Sequence, residues 1–131
     1  EINAFLGSWL DAWQQQDVTA YFAHYHPEFK SNAHASRADW QEDRIRKIST
    51  PLAIQISLQN LQVAAANNTD SAVELQIEYH STYYADRTVK EIQLVRSAAG
   101  SWQITQEKNL RIEPLPLARL IPGNTIFEFA L

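Results

Sequence analysis

The sequence predicts an α+β domain, with helices first and an antiparallel sheet after them. Three observations carry this. Apolar residues before Pro51 recur at helical spacing, after Pro51 they recur at every second residue, and polar turn sequences separate the alternating stretches. Helices and strands segregated along a chain in this way build α+β layers rather than alternating parallel units. The 131 residues amount to one domain, long enough to bury a core without disulfides or a metal.

Ile2, Phe5, Leu6, Trp9, Leu10 and Trp13 form one stripe of a first helix, opposite Asn3, Ser8, Asp11 and Gln14. Gln16-Asp17 ends it, and Asp17 is placed to cap a short second helix from Val18 to about Tyr25, stopped by Pro27. Residues 28–35 read as a loop anchored by Phe29. Ser36-Arg37-Ala38-Asp39 has the form of a capping box with Asp in the Glu position, opening a third helix to about Ile48. Leu52, Ile54, Ile56 and Leu58 then alternate with polar residues, and Leu61, Val63 and Ala65 continue the strand after a bulge or break near Asn60. Asn67 to Asp70 is a turn. Val73, Leu75, Ile77 and Tyr79 make one face of the next strand. Tyr84 to Arg87 turns into a strand with Lys90, Ile92 and Leu94 on one face, and Ala98 to Ser101 turns into Trp102, Ile104 and Gln106. Pro114, Pro116 and Pro122 are incompatible with a central strand over most of the tail, while Asn124 to Leu131 is apolar and strand-like, suited to a sheet edge or a partner. The expected division is a domain at 1–107 and a Pro-containing extension at 108–131.

Composition narrows the function. A net charge of −4 argues against non-specific nucleic-acid binding, which needs a basic face. With no cysteine, thiolate metal sites and Cys nucleophiles are excluded. No apolar run approaches the roughly 18 residues of a membrane span. The chain starts at Glu1 and has no Met, so a cut or processed end, and membership of a longer protein, is the expectation. Gly7, Gly100 and Gly123 are isolated, which excludes a glycine-rich phosphate loop, and no nucleophile-elbow motif occurs. No motif calls for a cofactor.

Phe5, Leu6, Trp9, Trp13, Asp17, Val18, Tyr21, Tyr25 and Phe29 resemble the opening of a nuclear-transport-factor-2-like domain. More narrowly, they resemble the version attached to bacterial L,D-transpeptidase-type cell-wall proteins. Ser36, Arg37, Trp40, Arg44 and Ile48 match its third-helix pattern; Pro51, Ile54 and Ile56 match its first strand. Gln76, Tyr79, Ser81, Tyr84 and Asp86 match the next segment, and Lys90, Leu94, Trp102, Ile104 and Glu107 the last. The match covers residues 1–107 and stops at the tail. The resemblance implies a cone-shaped, cystatin-like fold whose strongly curved antiparallel sheet wraps three N-terminal helices and leaves a pocket at the open end. It also implies a periplasmic or cell-envelope setting and an often-dimeric sheet surface. It does not imply catalysis, because in those proteins the transpeptidase chemistry sits in a separate domain with a catalytic Cys. Similar folds elsewhere include isomerases and dehydratases, so the fold alone assigns no activity.

Arg44 shares a helix face with Trp40 and Ile48. Two readings stand: a stem that packs while its head meets water or a carboxylate, or a pocket guanidinium that takes an anion through paired bonds. Strand parity turns Tyr79, Ser81 and Lys90 inward. With Arg44 they would ring a pocket mouth suited to a small anionic ligand, such as a peptide or sugar carboxylate. The alternative is a structural network in which Lys90 or Arg44 pairs with Glu107 or Asp86. Trp9, Trp13 and Trp102 belong to the core, leaving Trp40 as the tryptophan that can wall a pocket. The ligand-binding candidates are therefore Trp40, Arg44, Tyr79, Ser81, Lys90 and Glu107. His24-x-His26 has the spacing of half a metal site but reads more simply as packing at a helix end, and no metal is expected. His80 faces outward by parity, toward solvent. Three functions fit: an accessory domain, itself non-catalytic, that binds a small anionic ligand or a partner; a small isomerase or dehydratase using Tyr79 or a His; and a dimerisation module using an outer sheet face that carries Gln76, Glu78 and Gln93. An inward-facing acid–His pair would favour the enzyme.

Overall fold

The computed structural model describes residues 1–121 and 125–129, from Ala118 onward by backbone alone. Helices α1 (Ile2–Gln14), α2 (Val18–Ala23) and α3 (Arg37–Ser49) come first. Strands β1 (Ile54–Ala66), β2 (Asp70–Ser81), β3 (Ala85–Arg96) and β4 (Trp102–Pro114) follow as one antiparallel sheet in the order β1-β2-β3-β4. The sheet curves around the helices, and the architecture is the predicted α+β cone. A separate hairpin pairs β5 (Ala118–Ile121) with β6 (Thr125–Phe129). The strand-like stretch of the tail is thus β6, while Pro122, Asn124 and Leu131 lie outside the described residues. No described helix is long and apolar enough to cross a membrane.

The predicted caps form. Asp17 accepts from the Ala20 amide at 3.1 Å and Ser36 from the Asp39 amide at 3.1 Å. The core is where the two periodicities meet: Leu6, Trp9 and Trp13 of α1 and Ile48 of α3 pack on Val73, Leu75 and Ile77 of β2, Ile92 and Leu94 of β3, and Ile104 of β4. Burying such side chains contributes about 1.5–3 kcal/mol each. Helix α2 ends two residues before the predicted Tyr25. Tyr25 instead forms a parallel bridge to Ile104, flanked by His26 N–H to Ile104 O (2.9 Å) and Ile104 N–H to His24 O (2.8 Å). Those bonds tie the helical layer to the outermost strand.

Gln16, between α1 and α2, has φ of 61°, a region disfavoured for side chains beyond glycine. Its amide donates to Ile48 O (2.9 Å) and Pro51 O (2.7 Å), holding the end of α3 against α1. We expect Gln16→Ala to cost about 1–3 kcal/mol in urea unfolding, because two carbonyls lose their donor and the strain stays; Gln16→Gly, which relieves the strain, should cost less.

Some expectations differ. Leu52, read as the start of the first strand, lies before β1 and is 81% exposed. The register of β1 breaks between Leu58 and Asn60, as predicted, and again between Val63 and Ala65. Leu58 and Val63 are exposed rather than buried, because the short helices cover only the first part of this edge strand. The tail contains more sheet than its prolines predicted: β4 continues to Pro114, which pairs with Asp86 at the end of an edge strand, where a missing N–H is tolerated. His80 is not solvent-facing; it is 1% exposed and bonds Glu78 at 3.1 Å. Parity gives the face of a residue but not what covers that face, and β5 comes up against β2.

Candidate functional site

The site depends on a break in β4. Ile104 pairs with Leu94 but Gln106 with Gln93, so Thr105 is an extra residue. Its Oγ1 donates to the Gln93 carbonyl at 3.1 Å. One extra residue reverses the inside–outside alternation. Gln106, inward by simple parity, is exposed, and Glu107 comes inside instead.

There Glu107 meets Lys90 of β3. Lys90 Nζ donates to Glu107 Oε2 (2.7 Å) and to Asn109 Oδ1 (2.8 Å). The two charged side chains are 9% and 14% exposed. Tyr25 donates its phenol proton to Glu107 Oε1 at 2.6 Å. The Tyr21 and Tyr25 hydroxyls are 2.9 Å apart, and Trp9 Nε1 donates to the Tyr25 oxygen at 3.2 Å. Each phenol has one proton, so Tyr21 must supply the proton between the two rings. Burial pushes the Glu107 carboxyl up in pKa, but the Lys90 charge, the bonds from Lys90 and Tyr25 and the Arg44 charge together hold it below its ordinary value. Burial pushes the Tyr25 phenol far above its ordinary value, and the neighbouring Glu107 charge adds to this. Both therefore stay in the states the bonds require: Glu107 ionised, Tyr25 protonated. Of the pairings predicted for the cations, Lys90–Glu107 is the one that forms.

Arg44 is different. Its Nε donates to Tyr21 Oη at 3.2 Å, and its guanidinium lies 5.0 Å from the Trp13 ring centre and 5.4 Å from that of Tyr21. Among the described residues this is the hydrogen bond its guanidinium makes, and no carboxylate lies within 4.0 Å of it. The stem packs, and Arg44 borders two neighbouring hollows. The larger is a hollow of about 650 Å³ bounded by Trp13, Tyr79, Tyr83 and Tyr84 and also lined by Arg44, Arg46, Lys47, Lys90 and Asp86. A second cleft of about 350 Å³ adjoins it, lined by Phe29, Ser31, His34, Trp40, Asp43 and Glu107. Trp13, Arg44, Lys47, Lys90 and Asn109 border both.

Four of the six predicted residues, Arg44, Tyr79, Ser81 and Lys90, thus line one hollow, and Trp40 and Glu107 line the cleft beside it. Their parts differ from expectation. Ser81 spends its proton on Tyr84 O (3.1 Å) and accepts from the Tyr83 and Tyr84 amides, so its hydroxyl holds the β2–β3 turn rather than a ligand. Trp40 is 4% exposed and packs edge-on to Phe22 and Tyr25 and tilted against Phe29, so it is as much core as wall. Trp13, assigned to the core, is both: it is 7% exposed, stacks near Tyr79 at 5.5 Å and presents its ring to Arg44. Burial raises the Tyr79 phenol above its ordinary value, which keeps it protonated and a donor at neutral pH. His24 and His26 take separate structural partners: His24 bonds Ala20 O and Ser8, and His26 accepts from the Glu28 amide. No group of three potential metal ligands occurs among the described residues.

A family model described as the Cds6 C-terminal NTF2-like domain matches residues 1–108. The chain belongs to this NTF2-like family. Among solved structures, the NTF2-like domain is similar to Bdellovibrio bacteriovorus Bd1075, at 24% identity and TM-score 0.73 over 82% of this chain and 39% of that one. It is also similar to the helical cell shape determining protein Pgp2 (K307A mutant) from Campylobacter jejuni, at 19% identity and TM-score 0.69 over 80% of this chain and 38% of that one. A Streptomyces avermitilis protein, provisionally described as a dehydratase from the NTF2-like family, aligns at 11% identity and TM-score 0.68 over 87% of this chain and 93% of that one. At these identities the likeness is one of fold. The chain spans about two fifths of the length of Bd1075 and Pgp2. No protein of curated function matches it.

Proposed function

We propose that this NTF2-like domain is an accessory domain of a bacterial cell-envelope protein, in the periplasm or envelope, and that its larger hollow binds a small anionic group. The observation that carries the reading is Arg44: a guanidinium oriented by Tyr21 and Trp13 that lines the hollow and has no carboxylate within 4.0 Å among the described residues. A guanidinium held in this way is preorganised for a carboxylate. Lys47 and Lys90 line the same wall, each paired with a carboxylate, and Tyr79, Tyr83 and Tyr84 offer donors and ring faces. The volume lies within the range of about 300–1,000 Å³ common for small-molecule sites. The envelope setting is supported by the fold shared with Pgp2, a cell shape determining protein. In that setting the ligand is a carboxylate of a peptidoglycan fragment and the parent protein is of the L,D-transpeptidase-associated type. Against a dimerisation role, the outer face carries an ion ladder in which Arg87 bonds Glu78 and Glu113, each at 3.1 Å, rather than an apolar patch.

Titration calorimetry with a muropeptide bearing free carboxylates, and with its fully amidated form, tests the reading. The carboxylate form should bind and the amidated form should not. Arg44→Gln should weaken binding about tenfold to a hundredfold, the equivalent of a charge-assisted bond of about 1.5–3 kcal/mol. Equal affinity of Arg44→Gln and the parent chain, or no binding by the parent chain, would refute it.

A further inference from the structure

The second cleft holds an arrangement that neither the family nor the reading of Arg44 assigns. Ser31 Oγ lies 2.7 Å from His34 Nδ1, and His34 Nε2 lies 3.0 Å from Asp43 Oδ2. All three side chains line the cleft. We infer that Ser31, His34 and Asp43 form a nucleophilic centre that hydrolyses small, negatively charged acyl esters, in a cleft that shares Arg44, Lys47 and Lys90 with the larger hollow.

The protons fit this role. Asp43 stays ionised: burial raises its pKa, but the bonds from His34 and Lys47 and the charges of Lys47 and Arg46 outweigh that. An ionised carboxylate only accepts, so His34 Nε2 donates to it, and in the tautomer that carries its proton there Nδ1 can accept from the Ser31 hydroxyl. The familiar Ser-His-Asp arrangement uses the two nitrogens the other way round, but either imidazole nitrogen can act as the base. The three residues are held from two sides. Arg37 Nη1 donates to His26 O (3.1 Å) and Phe29 O (2.9 Å), fixing the segment that enters the loop, and Phe29 is buried between Tyr25 and Trp40. Asp43 lies in the rigid α3 and is tethered by Lys47 Nζ at 3.1 Å. Such support is what a catalytic constellation requires.

The reaction balances with water alone. As Ser31 Oγ bonds the acyl carbon, its proton passes to His34 Nδ1 and the carbonyl becomes an oxyanion. Collapse breaks the bond to the alcohol oxygen, which leaves with the proton from His34. Water then gives a proton to His34 as its oxygen bonds the acyl carbon, and collapse breaks the bond to Ser31 Oγ, which leaves with that proton from His34 and frees the carboxylic acid. The substrate's charge follows from the lining: Arg44, Lys47, Lys90 and Lys108 stand against the carboxylates Asp43 and Glu107. This excess of positive charge favours an anionic ester and the oxyanion formed from it.

A fluorophosphonate probe, followed by intact-mass measurement and peptide mapping, decides the matter. The folded chain should gain one adduct, at Ser31. Ser31→Ala should gain none, and His34→Gln should label at least about a hundredfold more slowly, the usual share of a general base. The Ser31-dependent rate, that of the parent chain less that of Ser31→Ala, should be higher for 4-nitrophenyl succinate monoester than for 4-nitrophenyl acetate, and the preference should shrink in Lys108→Gln. If the three side chains only latch the loop, Ser31→Ala will lower the thermal midpoint while the parent chain shows no adduct at Ser31. That result, or a labelling rate unchanged in a folded His34→Gln, overturns the inference.

Discussion

Glu107→Ala should destabilise the domain by about 3–5 kcal/mol, the usual cost of removing one partner of a buried ion pair. The loss is large because Lys90 stays behind as a buried charge with Asn109 as its remaining partner, and Tyr25 loses the acceptor for its proton. Replacing both charges, Lys90→Met with Glu107→Leu, should recover much of the loss, since a packed apolar pair avoids the desolvation that the ion pair must overcome. Urea unfolding of the two single variants and the double variant measures this, and a Glu107→Ala cost below about 1 kcal/mol, the level of an exposed pair, would show that the pair is solvated. The same group sets an acid dependence. Glu107 is more acidic folded than unfolded, so the unfolded chain takes up the proton first. Its contribution is complete above the ordinary value of 4.5 and is lost as the pH falls through the lower folded value. In Glu107→Gln the stability curve should be flatter across that acid window.

Trp13→Ala should cost about 3–5 kcal/mol, the range for removing a buried aromatic side chain. Here the cavity opens in the shared wall of the two hollows, so the effect reaches beyond stability. Arg44 loses the ring beneath its guanidinium, and Lys90, 5.9 Å from the same ring, loses part of its surroundings. Trp13→Phe should retain most of the stability yet weaken anion binding, because a smaller ring leaves the guanidinium less well placed. A Trp13→Phe variant with full affinity would show that Tyr21 alone orients Arg44.

Much of the fold was legible in the chain. The helical stripe through Leu6, Trp9 and Trp13 and the alternation through Val73, Leu75 and Ile77 each record a burial pattern that one element imposes on its own residues. Asp17 and Ser36 cap as read, because a cap bonds an amide three residues away. Arg44 and Lys90 could be turned inward from spacing alone. Glu107 could not be placed, because the extra residue at Thr105 inverts the alternation and no local signal marks it. Ser31, His34 and Asp43 belong to a loop and a helix, whose meeting depends on Arg37 and Phe29 holding the loop against the aromatic cluster. The only hint in the sequence was the grouping of a serine, a histidine and an acid before and within α3, a pattern common in ordinary loops. Trp13 was read as core because a stripe shows that a side chain is covered, not that its edge borders a hollow.

By itself, then, the sequence determined the order and type of the elements, their caps and the inward direction of the principal cations, since each follows from contacts within a few residues along the chain. Tertiary structure alone decided the Lys90–Glu107 pairing, the Tyr21 partner of Arg44, the burial of His80 and the Ser31–His34–Asp43 contact. Each of these depends on how a bulged edge strand and a short loop come to rest against elements distant in the chain, and distance between elements is set by packing rather than by periodicity.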